Sequence, residues 1–144
     1  MGLSLPQKGP VRPPPVLAGP VEATRLTIQS WPGVIAATHW NLYRRTEVDG
    51  ADFYVGEEEL GHLHLDGEVH LATTPELRHF LVAAGLARRF SYTGHPNEGW
   101  VEASVRTERE AEHAAWLFRL NYDRIRGLPM AELLNRIACE RRKS

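Results

Sequence analysis

The stretch Glu59-Leu60-Gly61-His62-Leu63-His64-Leu65-Asp66-Gly67 decides the fold around it, because a strand runs directly into a tight turn. Side chains alternate between the two faces of a strand, so His62 and His64 share a face. Asp66-Gly67 is a strong signal for a two-residue type I′ hairpin turn. Such a turn sets His62 opposite Leu71. It gives the histidines a mostly apolar face, shared with Leu60, Val69 and Leu71.

The segments around this hairpin predict an α+β fold. Helices are expected where apolar residues recur at helical spacing, over residues 21–31, 74–84, 107–125 and 129–140. Strands are expected between turn signals, over residues 34–40, 51–55, 60–65, 68–72, 86–92 and 100–105. Short consecutive strands joined by tight turns favour an antiparallel β-sheet with the α-helices packed on one side.

The N-terminal segment differs from the rest in composition. Residues 1–20 carry six of the ten prolines. Such a segment favours polyproline II and offers few donors for helix or sheet hydrogen bonds, so it predicts a disordered Pro-rich tail. The remaining residues 21–141 are enough for a single domain with its own core.

Composition excludes several classes of function. The chain has 144 residues and a net charge of −1, so no overall basic field attracts nucleic acid. A single cysteine, Cys139, excludes an internal disulfide and fits a reducing cytoplasm. The longest apolar run is far shorter than the roughly 18 residues that a membrane span needs. We therefore expect a cytoplasmic protein that binds neither nucleic acid nor membrane.

The two strand histidines are the main candidates for chemistry. His62 and His64 can act as general base and hydrogen-bond donor to a small organic ligand. The same H-x-H pair can ligate a divalent metal with one further protein ligand. Glu59 reaches their face only if the strand contains a bulge. Candidates for substrate contacts, most of them also candidate metal ligands, are His39, Glu59, Asp66, His95 and Trp100. Two satisfied core histidines are the alternative without chemistry.

Several motifs together resemble the luciferase-domain family, which includes the fungal luciferases and many small bacterial proteins. The resemblance covers about residues 28–126. It rests on Trp31-Pro32-Gly33-Val34, His39, the E-L-G-H-x-H-x-D-G core, Gly99-Trp100-Val101 and Leu117-Phe118-Arg119-Leu120-Asn121-Tyr122. One departure is the linker 41–51, which is longer than expected for the family.

The resemblance implies a specific chemistry. The fungal members oxidise a hydroxylated pyrone with molecular oxygen, without a metal or flavin cofactor. By that resemblance the domain would be a cofactor-independent oxygenase in which His62 or His64 deprotonates the substrate. His39 and His95 would be supporting donors.

Three hypotheses remain open from the sequence. The first is a small-molecule-binding, luciferase-like domain. The second is a divalent-metal-binding protein that uses the H-x-H strand. The third is a non-catalytic interaction module, a homodimer included, whose partner surface is formed by Trp116, Leu120 and the last helix.

Overall fold

A computed structural model describes residues 3–91 and 99–143 of the chain. The helices are α1 (Leu5–Lys8), α2 (Gly19–Gln29), α3 (Pro75–Ala83), α4 (Glu108–Ile125) and α5 (Met130–Arg142). The strands are β1 (Val34–Trp40), β2 (Val48–Val55), β3 (Glu58–His64), β4 (Glu68–Thr73), β5 (Arg88–Arg89) and β6 (Gly99–Ser104). All pairings are antiparallel, and the strand order is β1-β2-β3-β4-β6-β5. The predicted α+β fold is confirmed.

The hydrophobic core lies between one face of this sheet and the four longer helices. Alternate residues of the strands, such as Phe53, Leu63 and Leu71, are fully buried on this face. Phe118 of α4 packs on Phe53 with ring centroids 5.7 Å apart. Asn121, also on α4, donates to the main-chain oxygens of Leu60 at 3.0 Å and of Ala72 at 2.8 Å. Helix α4 is therefore hydrogen-bonded to both β3 and β4 through a single side chain.

Local sequence signals explain where two of the helices begin. The side chain of Thr74 accepts a hydrogen bond from the main-chain N–H of Leu77 at 3.2 Å. The side chain of Thr107 accepts one from Glu110 at 3.1 Å. Each threonine satisfies an N–H group that the first helical turn leaves without a partner. Both helices begin within one residue of the ranges predicted for them.

The C-terminal helix α5 covers the outer flank of α4. Leu133 and Ile137 of α5 are buried in the common core, as is Leu120 of α4. The predicted partner surface needed Leu120 to be accessible, but its side chain is only 1% exposed. None of the described helices is long and apolar enough to span a membrane.

The register of the β3–β4 hairpin differs from the prediction by one residue. His62 lies opposite His70, and Leu63 lies opposite Val69. The turn is longer than two residues, because the N–H of Gly67 donates to the carbonyl of His64 at 3.0 Å and Gly67 has φ 90°. This is a type I turn followed by a left-handed glycine, which shifts the pairing. His70 therefore joins the histidine face, while Val69 and Leu71 lie in the core.

A β-bulge in β3 changes the direction of Glu59. Phe53 pairs with Gly61 and Tyr54 pairs with Glu59, so Leu60 is an extra residue without an opposite partner. Leu60 is fully buried in the core, not on the histidine face as regular alternation predicted. The extra residue brings Glu59 onto the same face as His62, which is the condition the sequence left open.

The N-terminal segment lies along the sheet instead of forming the predicted disordered tail. The carbonyl of Arg12 accepts from the main-chain N–H of Thr38 at 2.8 Å. The carbonyl of Pro10 accepts from the indole N–H of Trp40 at 2.9 Å. An extended proline-rich backbone leaves its carbonyls free, and the outer strand β1 supplies the donors. The strand predicted over residues 86–92 is also shorter, since β5 contains only Arg88 and Arg89.

Candidate functional site

Four histidines meet on the face of the sheet opposite the helices. His39 comes from β1, His62 and His64 from β3, and His70 from β4. The ring centroid of His62 lies 4.0 Å from that of His39, 4.9 Å from that of His64 and 5.0 Å from that of His70. The rings of His64 and His70 are 4.6 Å apart. We call these four residues the histidine cluster.

A carboxylate orients each of three cluster imidazoles through its Nδ1 atom. The pairs are His39 with Asp52 at 2.8 Å, His62 with Glu59 at 3.0 Å and His64 with Asp49 at 2.9 Å. An ionised carboxylate only accepts hydrogen bonds, so each Nδ1 carries the ring proton. The Nε2 atoms of these three histidines therefore present lone pairs.

The inner nitrogens of three histidines converge. The Nδ1 atom of His70 lies 3.1 Å from Nε2 of His62 and 3.1 Å from Nε2 of His64. The His70 ring stands at 77° to His62 and at 71° to His64. Nδ1 of His70 thus lies close to both Nε2 atoms, and the His70 ring is stacked on neither of the other two rings.

Lys8 of the N-terminal segment reaches the carboxylates behind the cluster. Its ammonium group lies 2.9 Å from Glu59 and 3.3 Å from Asp52. Burial lowers the pKa of Lys8, but the charges of Glu59 and Asp52 outweigh that effect and hold the pKa above its ordinary value. Lys8 is therefore charged and partly neutralises this acidic layer.

Burial keeps the inner histidines neutral. It lowers the pKa of His62 well below its ordinary value of 6.5, and the neighbouring histidines lower that pKa further. The pKa of His70 is lowered to about 4, again mainly by burial. Burial raises the pKa of Glu59, with Lys8 opposing the shift. Neutral imidazoles offer lone pairs at physiological pH, but they are weak proton acceptors when their pKa is this low.

Aromatic rings line one side of the cluster. The Trp100 ring centroid lies 5.5 Å from that of His62, and the Phe90 centroid lies 4.8 Å from that of His70. Phe90 and Trp100 contact each other with centroids 5.7 Å apart. The site therefore combines polar ring nitrogens with an apolar wall.

The structure brings together five of the seven residues predicted for the site: His39, Glu59, His62, His64 and Trp100. Asp66 lies exposed in the turn, where its side chain accepts from the N–H of Glu68 at 2.9 Å. It shapes the hairpin rather than the cluster. The prediction for His95 falls outside the described residues.

Five further residues of the site were missed: Lys8, Asp49, Asp52, His70 and Phe90. The strand pattern Gly50-Asp52-Tyr54, with a polar side chain at an alternating position, was a signal for Asp52. His70 was missed because the predicted hairpin register was one residue off. Lys8 has no sequence signal, because it belongs to a segment read as disordered.

Part of this α+β domain is similar in sequence to a known family. Residues 57–121, just under half of the chain, match the family model described as Luciferase domain. This confirms the resemblance that the motifs indicated. The matched part contains Glu59, His62, His64, His70 and Trp100, whereas His39, Asp49, Asp52 and Lys8 precede it. The comparisons with curated proteins and with solved structures found no match.

Proposed function

We propose that the histidine cluster binds a small hydroxylated molecule, an aromatic or pyrone-type compound, and that the domain acts on it as an oxygenase. The observation that carries this proposal is the set of carboxylate-backed imidazoles beside the Trp100 and Phe90 rings. Apolar walls with a few convergent polar groups are typical of small-molecule sites. The Luciferase domain match supports an oxygen-dependent reaction.

Within this site His64 is the residue we assign to the substrate hydroxyl. Its side chain is 16% exposed, so it is reachable from outside, whereas His62 lies deeper. Its Nδ1–H donates to Asp49, which stabilises the imidazolium that forms when Nε2 accepts a proton. His62 serves as a hydrogen-bond partner, because burial keeps it neutral.

The reaction class follows from the anion that proton transfer creates. Loss of the hydroxyl proton to His64 gives an enolate. Its ring carbon donates an electron pair to molecular oxygen, so a carbon–oxygen bond forms and the oxygen is reduced to a peroxide. The imidazolium returns its proton to the outer peroxide oxygen. The product is a keto hydroperoxide, and no other oxidant or reductant is needed.

Binding and oxygen uptake test this proposal. Untagged protein is titrated with a hydroxylated pyrone in a calorimeter, and oxygen consumption is followed with an electrode. We expect saturable binding in the wild type and a loss of oxygen uptake of about 100-fold or more in His64→Ala. His79→Ala removes an exposed histidine of α3 and is the matched control. A wild type that neither binds the pyrone nor consumes oxygen overturns the proposal, as does a His64→Ala variant with full activity.

A further inference from the structure

The three converging nitrogens of the cluster have the arrangement of metal ligands. We propose that Nε2 of His62, Nε2 of His64 and Nδ1 of His70 hold one divalent transition-metal ion. Neutral imidazole is the commonest nitrogen ligand for such ions, and three histidines leave further coordination positions open. This assignment differs from the metal-free chemistry that the family resemblance implies.

Two of the three distances between the ring nitrogens are close to the value expected for one shared ion. Two histidine nitrogens bound to zinc at about 2.0–2.1 Å in a tetrahedral arrangement lie about 3.3 Å apart. The observed separations from His70 to His62 and to His64 are both 3.1 Å. The ring planes are inclined at 71–77° to one another, so none of these three rings is stacked on another.

The second nitrogens of His62 and His64 have the partners that metal-bound histidines usually have. Glu59 accepts from Nδ1 of His62 at 3.0 Å, and Asp49 accepts from Nδ1 of His64 at 2.9 Å. The carboxylates of Glu68 and Glu102 lie within 4.8 Å of a ring nitrogen of His70. Carboxylates behind metal-bound imidazoles fix the tautomer and raise the basicity of the ligand.

The charge around the cluster also favours a cation. Three carboxylates, Asp49, Asp52 and Glu59, face the histidines, and Lys8 is the cation that pairs with two of them. Asp52 is fully buried, and its Oδ2 atom has no hydrogen-bond partner among residues 3–91 and 99–143. Three carboxylates and one ammonium group leave a net negative charge beside the cluster, which a divalent ion would reduce.

His39 does not complete the ligand set, although its ligand atom lies within 4.8 Å of those of His62 and His64. Its ring is stacked on His62, at 4.0 Å between centroids and 12° between planes. Imidazole lone pairs lie in the ring plane, so two parallel stacked rings cannot both point at one ion. His39 instead supports His62 by packing and links it to Asp52.

A bound metal would change how the substrate anion is stabilised in the proposed function, but the binding site would be the same. The metal assignment rests on the proposed function only for the class of substrate. A bound cation lowers the pKa of a coordinated hydroxyl, so it would hold the substrate anion in place of an imidazolium.

Metal binding to untagged protein tests the assignment. The protein is treated with EDTA, dialysed, and titrated with Zn²⁺ in a calorimeter and with Co²⁺ under visible spectroscopy. We expect one ion per chain and cobalt bands typical of low coordination number. His64→Ala and His70→Ala should each weaken binding at least 100-fold. Asp49→Asn keeps every ligand and should weaken it about 10- to 100-fold. His79→Ala should bind like the wild type.

Every outcome separates this inference from the proposed function. Absence of stoichiometric binding in the wild type overturns it. So does binding that is unchanged in both His64→Ala and Asp49→Asn, which keeps the test valid should His70→Ala fail to fold. If EDTA-treated protein takes up no metal ion but still binds the pyrone and consumes oxygen, the metal assignment is wrong and the proposed function stands. If the metal binds but the pyrone does not, the metal assignment stands and the proposed function is wrong.

Discussion

At the scale of single residues, Gly61 has a decisive position in the site. It directly follows the bulge, has φ 148°, and lies where β4 and α4 come close to the backbone of β3. A Cβ atom there would lie 2.3 Å from the carbonyl oxygen of His70 and 3.1 Å from the Phe118 ring. The close approach of β3 to the backbone of β4 at His70 therefore depends on a residue without a side chain.

We predict that Gly61→Ala destabilises the protein by about 3 kcal/mol or more, because backbone atoms must move to admit the methyl group. The free energy of unfolding, measured by denaturant titration, checks this. Gly56→Ala is the control, since Gly56 also has a positive φ of 61° but has open space around its Cβ position. It should cost only about 1 kcal/mol. Equal losses in the two variants would contradict the steric argument.

Sequence reasoning located several residues of the site because they follow simple periodic rules. His62 and His64 share a face by strand alternation, and the structure confirms this geometry. Glu59 reaches that face only through an inserted residue, and no pattern in a single sequence marks which residue of Glu59-Leu60-Gly61 is extra. The register of the hairpin likewise depended on the turn type. The backbone conformation of Gly67 decides that turn type, and the Asp-Gly dipeptide is compatible with more than one.

At the scale of elements, the N-terminal segment is part of the site because it delivers Lys8. The ammonium group pairs with two buried carboxylates, and its own side chain is 15% exposed. Removing one member of a buried ionic group leaves the other charges without compensation. The segment thus contributes to stability through one charge, in addition to its main-chain hydrogen bonds to β1.

We predict that Lys8→Met lowers the free energy of unfolding by about 3 kcal/mol. Lys143→Met, which removes a highly exposed lysine near the C-terminus, should change it by less than about 0.5 kcal/mol. The double variant Lys8→Met with Glu59→Gln should recover part of the loss, because it also removes one of the two carboxylates. Denaturant unfolding of the wild type, Lys8→Met, Glu59→Gln and the double variant gives the coupling energy. Full stability in Lys8→Met would show that this segment does not lie on the sheet in solution.

The start of α2 contains an ion pair with a defined pH dependence. Glu22 accepts from the guanidinium of Arg25 and from the N–H of Leu17 at 3.0 Å. The hydrogen bond from Arg25 lowers the pKa of Glu22 from its ordinary value of 4.5, against a smaller effect of burial. Because the folded state holds this proton less tightly, the stabilisation is present above pH 4.5 and is lost as pH falls through the lowered pKa.

Glu22→Gln should therefore destabilise the protein by about 1 kcal/mol at neutral pH. The difference from the wild type should shrink toward zero in acid, as the native carboxyl becomes protonated. Denaturant unfolding at neutral pH and at several acidic pH values checks this. A difference that stays constant over the whole range would mean that the charge of Glu22 contributes nothing.

At the scale of the whole molecule, the sheet separates stability from chemistry. Its helix-covered face contains residues such as Phe53, Leu63 and Leu71, all fully buried, and its other face contains the histidine cluster. The α+β class and the positions of the four longer helices were predictable because they depend on local sequence pattern. Contacts between distant segments, such as Lys8 with Glu59 or His39 with Asp52, were not, since they depend on how strands and tail are arranged in space.

This separation predicts opposite outcomes for substitutions on the two faces. Phe118→Ala removes a fully buried ring that packs on Phe53 and should lower the free energy of unfolding by about 3–5 kcal/mol. His64→Ala removes a half-buried side chain at the edge of the cluster and should cost no more than about 1 kcal/mol. It should nevertheless abolish oxygen uptake and metal binding, whereas any Phe118→Ala protein that remains folded should keep both. Denaturant unfolding and the binding titrations, run on the same preparations, measure the two effects together. A His64→Ala protein as unstable as Phe118→Ala would mean that the cluster is part of the structural core, and its histidines would then be explained by packing alone.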